Sequence, residues 1–533
     1  MLQTARSTRG MVVAPHHLAA TSGLAVLREG GNAIEAMIAA AATIAVVYPH
    51  MNGLGGDNFW LVSEGGQPPV AIDACGAAAG LADREWYRAR GHAAIPGRGA
   101  HAALTVAGAV SGWQSAFELS RRAGGRLPLS RLLADAIHYA RHGFPVTQSQ
   151  AKNNVAKRAE LEHVPGFVET FMPGGQQPEA GALFRLPRVA DTLDRLAAAG
   201  LDDFYRGDIA RSMARDHEAA GSPLRLSDLE RHRALAVTPL SVDLTHGRVY
   251  GMPPPTQGLA SLMILGLMDR LGCGEAESLD HVHRIIEATK QAFLVRDAHV
   301  TDPAYMTLGA QGLLAASSLD TLAARIDLRS ALPWPQPAAP RGDTVWLGAI
   351  DGDGRAVSFI QSIYWEFGSG VVLPGTGIAW QNRGTSFSLD ETRQNSLRPF
   401  RRPFHTIQPL LALLDDGRVM PYGTMGGEGQ PQTQAAIYSR HVVLGQELQQ
   451  AITAPRWLLG RAWGSEVNNL RIESRIGSCV IEGLRSAGHD VEVVGPFEEM
   501  MGHAGALVLH RSGAKAGSIE AAADPRGDRK SVV

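Results

Sequence analysis

Arg341-Gly342-Asp343-Thr344-Val345-Trp346-Leu347 joins two stretches of opposite character. Upstream, Ala331 to Pro340 holds four prolines in ten residues, the composition of a mobile surface linker. Downstream, the β runs Val345 to Ile350 and Ala356 to Ile360 flank Asp351-Gly352-Asp353-Gly354, a strong hairpin signal. Thr344 sits at the joint. A threonine at the start of a strand is ordinarily a β-former and nothing more. After a linker it gains a second reading, because a chain cut before Thr344 presents a hydroxyl nucleophile together with its own base. That base is the freed α-amine, with a reference pKa of about 7.7–8.0. An amine titrating near neutrality suits general-base work, and a threonine served by its own terminal amine is an activated nucleophile.

Working outward, Leu18 to Leu27 reads as a short amphipathic helix closed by Gly30-Gly31, and Asn32 caps an Ala-rich helix that follows. Gly53-Leu54-Gly55-Gly56-Asp57 leads into the strand Phe59-Trp60-Leu61-Val62. It is no dinucleotide fingerprint, since it precedes a strand and no helix follows; it reads as a tight turn packed on neighbouring backbone. The middle of the chain, roughly residues 110–330, carries helical patterns at Pro128 to Tyr139, Val189 to Ala199 and His281 to Ala298. Gly251 to Gly258, with three consecutive prolines, is a rigid turn ahead of another helix. Asp524 to Arg529 reads as a polar terminal loop.

At 533 residues the chain exceeds one ordinary core, and about 150 residues per domain suggests three or four, although layered α/β folds break that rule. Hydrophobic residues at 45% and charged residues at 19% place it among globular chains. A formal charge of −2 gives no electrostatic case for nucleic acid or an anionic membrane. The run Arg398-Pro399-Phe400-Arg401-Arg402 is local and reads as a structural or ligand-facing patch. Cys75, Cys273 and Cys479 are odd in number and lack CxxC spacing, against both a disulfide scaffold and a zinc knuckle. His281-Val282-His283 and His16-His17 lack i,i+4 spacing, so no metal is expected, and no cofactor. The first nine residues lack the apolar core of a secretory signal, and Ala36 to Tyr48 is too short and Ala-rich to span a bilayer. A cytoplasmic location is expected.

These features occur in an order that resembles the γ-glutamyltranspeptidase family of N-terminal nucleophile hydrolases. The likeness runs from Gly10-Met11-Val12-Val13 and Gly30-Gly31-Asn32-Ala33 to Gly53-Leu54-Gly55-Gly56, then Pro253-Pro254-Pro255 and Glu287 to Phe293. It continues from Thr344 through Phe367-Gly368-Ser369-Gly370, Arg402-Pro403 and Gly426-Gly427 to Asp524-Pro525-Arg526. The resemblance implies an α+β fold, a four-layer αββα sandwich made as a precursor. It places the cut between Asp343 and Thr344, giving a large subunit of residues 1–343 and a small catalytic subunit of residues 344–533. Thr344 becomes the nucleophile. Gly426 and Gly427, in Gly423-Thr424-Met425-Gly426-Gly427, become the loop whose backbone amides hold the oxyanion.

The substrate pocket departs from the family's usual one. Where γ-glutamyltranspeptidases carry the arginine that holds the substrate α-carboxylate, this chain has Asp73-Ala74-Cys75-Gly76. Positions that hold acceptors for the α-amine are Tyr364, Arg383 and Ser386, and the usual Ser-Ser pair is His405-Thr406. With Ser362, these are the expected substrate-binding residues. An ammonium group needs acceptors, whereas Arg383 offers five donors and a fixed charge. Unless Arg383 is spent on an acid such as Glu366, the pocket suits a small anionic amide without an α-amine. Within the family it is most similar to members that convert oxamate to oxalate and ammonia in purine-ring breakdown.

Two other readings stand beside this one. A γ-glutamyl hydrolase, transpeptidase or cephalosporin-acylase-like enzyme with a rewired pocket would share the Met425-Gly426-Gly427-Glu428-Gly429 pattern. A binding protein kept as an uncut precursor would show one band, not two, on a denaturing gel. The expected partners are the substrate, the two subunits of one precursor and a possible higher oligomer, with neither nucleic acid nor membrane.

Overall fold

The computed structural model describes residues 3–334, 343–460, 469–527 and 531–532. Most of the proline-rich segment, 335–340, lies outside the described residues. Its first part does not behave as a mobile linker. Glu287 Oε2 accepts from the Leu332 amide at 3.0 Å, and Lys290 Nζ donates to the Leu332 carbonyl at 2.7 Å. Ala331 donates to the Ala487 carbonyl at 2.7 Å. The composition hid this anchorage because the clamping groups come from other elements.

Two seven-stranded sheets form the centre. The first runs in the order Ser531–Val532, Gly10–Val13, Asp343–Asp351, Ala356–Tyr364, Asp57–Ser63, Val70–Ala74 and Leu235–Val237. Its neighbours are all antiparallel. The hairpin expected around Asp351-Gly352-Asp353-Gly354 is its centre. The second sheet runs Ala5–Ser7, Ile519–Ala523, Ala504–Leu509, Val419–Thr424, Leu410–Leu414, Gly247–Gly251 and Leu240–Leu244, again antiparallel.

Strand alternation sends each sheet's side chains to two different cores. Val345, Leu347 and Phe359 pack with the helices His17–Arg28 and Ala33–Val47, while Trp346, Ile350 and Ile360 face the other sheet. On the far side, Leu410, Ala412 and Tyr422 pack against the helices Gly258–Leu271 and Leu279–His299. The result is four layers, helix on sheet on sheet on helix. Between the sheets Trp346 lies against Gly423 and Gly505, where an added Cβ would collide with the indole. Its Nε1 donates to Ser358 Oγ at 3.0 Å, which satisfies the one polar atom of a buried indole.

The Ala33–Val47 helix is buried along its whole length, consistent with its alanine content. Asn32 and Glu35 close a capping box at its start. No helix among the described residues is long and apolar enough to cross a membrane. Of the expected polar terminal loop, residues 528 and 529 lie outside the described residues, and residues 524–527 form a turn whose charges are buried rather than solvated. Asp524 and Arg526 are buried, with Asp524 ion-paired to Arg456 and Arg526 to Glu473 at 2.6 Å. Polar residues there are inside because each charge meets its opposite.

Candidate active site

Thr344 is fully buried at the start of the Asp343–Asp351 strand, where the pairing slips by one residue between Asp343 and Val345. Val345 faces the helices and Trp346 the sheet interface, and Thr344 sits at the slip immediately before them. The second sheet contributes Gly426 and Gly427 from the turn between the strand Val419–Thr424 and the helix Gly429–Tyr438. Their φ angles are +115° and +53°, a region glycine occupies at little cost. Among the described residues, neither backbone N–H donates to a protein acceptor.

The loop is braced from behind. Gln257 Nε2 donates to the Gly427 carbonyl at 2.7 Å and to the Thr406 carbonyl at 2.5 Å. Gln257 Oε1 accepts from Arg296 Nη1 at 3.0 Å, and Arg296 Nη2 donates to Glu428 Oε1 at 2.9 Å. Sequence reasoning passed over Gln257 and Arg296, and read Glu428 only as the acid of the Met425 to Gly429 pattern. Gln257 sat inside a turn read only for its prolines.

Arg383 opens a short 3₁₀ turn, Arg383–Ser386, and is fully buried. Its Nη1 donates to Thr406 Oγ1 at 3.1 Å, and its guanidinium lies 3.6 Å from the centre of the Tyr364 ring. Nε and Nη2 are buried and make no hydrogen bond to a described residue. Burial lowers its pKa to about 10, against the raising influence of Tyr364, Asp57 and Cys75. Glu366, the acid that could have paired with it, faces Arg98 at 3.8 Å and Lys157 at 3.6 Å instead. Tyr364 has a φ of +82°, a strained conformation for a side-chain-bearing residue and one met mostly where function requires it. Ser362 Oγ accepts the Tyr364 amide at 2.8 Å, so part of its role is to hold that turn. Ser386 is half-buried at the end of the 3₁₀ turn, and its Oγ makes no hydrogen bond to a described residue.

His405 leads to a group the sequence reading missed. Its Nε2 lies 2.9 Å from Asp57 Oδ2, and its ring meets Phe59 edge-on at 4.9 Å. Asp57 Oδ1 accepts from the amides of Gly108 at 2.9 Å and Gly76 at 3.0 Å, and from Gln381 Nε2 at 3.1 Å. Burial raises the Asp57 pKa to about 7, opposed by the Gly108 amide, Arg383, the Gly76 amide and Gln381. Burial also holds His405 well below the usual histidine range, with Arg383 adding to the effect. The glycine cluster before Asp57 does pack as a tight turn, because a Cβ on Gly55 or Gly56 would strike the Ala379 or Ser362 carbonyl. The acid at its end drew no notice.

Asp57, Cys75 and His405 bring their donor atoms within 4.8 Å of one another, as do His283, Glu287 and His489. Hydrogen bonds and ion pairs account for both groups. Cys75 is a poor metal ligand, since burial first, then Asp57 and Asp73, push its thiol pKa well up. In the second group His283 Nδ1 meets His489 Nε2 at 2.9 Å, and Glu287 is paired with Lys290 at 2.7 Å.

A buried hydroxyl at the head of a central strand, two undirected amides and an underused guanidinium can attack, polarise and orient a small acyl substrate. Residues 19–533 match the family model described as gamma-glutamyltranspeptidase. The chain belongs to the γ-glutamyltranspeptidase family. It is 55% identical to the oxamate amidohydrolase proenzyme of Klebsiella pneumoniae over 98% of both chains. It is 40% identical to the glutathione hydrolase-like YwrD proenzyme of Bacillus subtilis, also over 98% of each. The cephalosporin acylase of Bacillus halodurans superposes with a TM-score of 0.89 at 33% identity, covering 100% of this chain and 97% of that one.

Proposed function

We propose that this chain is an autoprocessing amidohydrolase that cuts itself between Asp343 and Thr344 and then hydrolyses a small anionic amide, oxamate. The observation that carries the reading is Arg383, buried with two N–H-bearing atoms that have no acceptor among the described residues. A buried polar group left without a partner is costly, and a substrate carboxylate removes that cost. The 55% identity with an oxamate amidohydrolase supports the choice of substrate, and the proenzyme names of both relatives support processing.

In this reading the product of self-cleavage is a heterodimer of residues 1–343 and 344–533. The α-amine of Thr344 takes the Oγ proton as Oγ adds to the carboxamide carbon. The amides of Gly426 and Gly427 receive the negative charge on oxygen, the arrangement that supplies the largest share of many such rate enhancements. The C–N bond breaks, the departing nitrogen takes the proton from the amine, and ammonia leaves an ester on Thr344. Water then adds as the amine takes its proton, the ester C–O bond breaks as that proton passes to Thr344 Oγ, and oxalate departs with its remaining acid proton going to ammonia. One oxamate and one water give one oxalate and one ammonium ion.

Parent protein should run as two bands on a denaturing gel, with Thr344 first on terminal sequencing of the smaller. It should release ammonia from oxamate in preference to cleaving a γ-glutamyl anilide. Thr344→Ala should give one band and no turnover. Preference for the anilide, or activity in uncut Thr344→Ala protein, would defeat the proposal.

A further inference from the structure

Among the described residues, the buried polar atoms of the candidate site without a protein partner include Ser386 Oγ, Gln381 Oε1 and three that one ligand could serve together: Arg383 Nε, Arg383 Nη2 and His405 Nδ1. Their residues are linked, because Arg383 Nη1 donates to Thr406 Oγ1, on the residue that follows His405. The two arginine atoms are donors in every state. His405 Nδ1 can be a donor or an acceptor, and its other nitrogen decides which.

That other nitrogen faces Asp57 Oδ2 at 2.9 Å. Asp57 Oδ1 already accepts from three donors, the amides of Gly76 and Gly108 and the side chain of Gln381. Oδ1 therefore cannot carry a proton, and above the pH near 7 at which Asp57 titrates the ionised carboxylate offers Oδ2 to His405 as an acceptor. Nε2 must then hold the imidazole proton, and Nδ1 presents a lone pair. We propose that Asp57 is a positioning residue that fixes His405 as its Nε2–H tautomer, so that Nδ1 accepts a hydrogen bond from the substrate carboxamide N–H. This rests on the amidohydrolase reading and deepens it.

A carboxamide next to a carboxylate supplies what all three atoms lack. Its carboxylate accepts from Arg383 and its amide N–H donates to His405 Nδ1. The product has lost that donor. Oxalate would bring a carboxylate oxygen towards a nitrogen lone pair, so the atom that selects the amide disfavours the acid formed from it. A γ-glutamyl substrate places an ammonium group near Arg383 and gains nothing from this arrangement.

Asp57→Asn tests the point with one atom changed. Two backbone amides still require an oxygen at the Oδ1 position, so the new amide nitrogen takes the Oδ2 position and donates to His405 Nε2. The proton then moves to Nδ1. In the processed protein without substrate, above the pH at which Asp57 titrates, the His405 ¹⁵N shifts should change from the Nε2–H to the Nδ1–H pattern. Oxamate kcat/KM should fall about tenfold to a hundredfold, as expected when an acceptor becomes a clashing donor. Oxalate should inhibit Asp57→Asn at least as tightly as the parent, an effect that a general loosening of the pocket would not produce.

An Asp57→Asn protein whose tautomer is unchanged, or whose oxamate turnover stays within twofold of an active parent, overturns this inference alone. A parent that does not hydrolyse oxamate overturns the substrate reading and, with it, the role given to Nδ1. Should Asp57→Asn fail to fold or process, His405→Asn and His405→Phe decide the question. The asparagine places an oxygen near the former Nδ1 and should retain at least tenfold more oxamate turnover than the phenylalanine, and equal turnover in the two refutes the proposal.

Discussion

Two buried arginines serve the candidate site in opposite ways. Arg296 meets Gln257, Glu428 and Asp297 through its nitrogens and lies 3.8 Å from the centre of the Phe293 ring. Among the described residues, Arg383 has one hydrogen bond, one aromatic face and two idle nitrogens. Burial works against both charges. For Arg296 the acids Asp297 and Glu428 more than offset it, and its pKa stands above the ordinary arginine value. For Arg383 nothing does, and the value falls to about 10. A charge fully used by its own protein is scaffold; one buried and underused is what the proposed carboxylate substrate would meet.

The largest effect should come from breaking the scaffold. Arg296→Ala removes a charged partner of the buried Glu428, and removing one member of a buried pair costs about 3–5 kcal/mol. Urea unfolding should show that loss, and processing should fail with it. A change below about 1 kcal/mol would place Arg296 outside the bracing of the loop. Next, Gly427→Ala should fold and process yet lose about two to three decades of turnover, the typical worth of one oxyanion donor. Activity within twofold of the parent in correctly processed protein would move the oxyanion site elsewhere.

Arg383 should invert this pattern. Arg383→Ala should cost oxamate hydrolysis about 1.5–3 kcal/mol, one to two decades in kcat/KM, while sparing self-cleavage. Arg383→Met should stabilise the fold, since replacing a poorly compensated buried charge by an apolar side chain often gains about 1–4 kcal/mol. A thermal midpoint lower than the parent's would show that Arg383 is structural after all.

The contrast can be sharpened with acid. Burial alone would raise the Asp524 pKa, but Arg456 and Arg526 bring it from 3.8 down to about 2. Its contribution, about 2 kcal/mol, is present above pH 3.8 and lost as the pH falls towards 2. Asp524→Asn should therefore remove acid-dependent stability between those values. Equal pH-melting curves for variant and parent would refute the assignment.

The sequence made local patterns readable and long-range pairings unreadable. The Asp351 to Gly354 turn, the capped alanine helix and the glycine turn before Asp57 each depend on neighbours along the chain. The Asp57–His405 bond joins residues 348 apart, and Gln257 reaches Gly427 across 170. No periodicity marks either. Arg383 stood out only by its charge, and its freedom from Glu366 required knowing that Arg98 and Lys157 face that acid. The C-terminal charges were misread because composition cannot show that Asp524, Arg456, Glu473 and Arg526 neutralise one another in the interior.

The order of strands in the first sheet bears on what a cut at Thr344 would leave. Asp343–Asp351 and Ala356–Tyr364 lie between Gly10–Val13 and Asp57–Ser63, so the two fragments are interleaved rather than side by side. Pulling them apart would shear hydrogen-bonded ladders on both flanks at once and bare the long, apolar edges that aggregate most readily. The broken peptide bond would thus change the molecule's covalent bookkeeping and leave its mechanics alone. Two chains by mass would unfold as a single body, and neither would be a viable protein by itself.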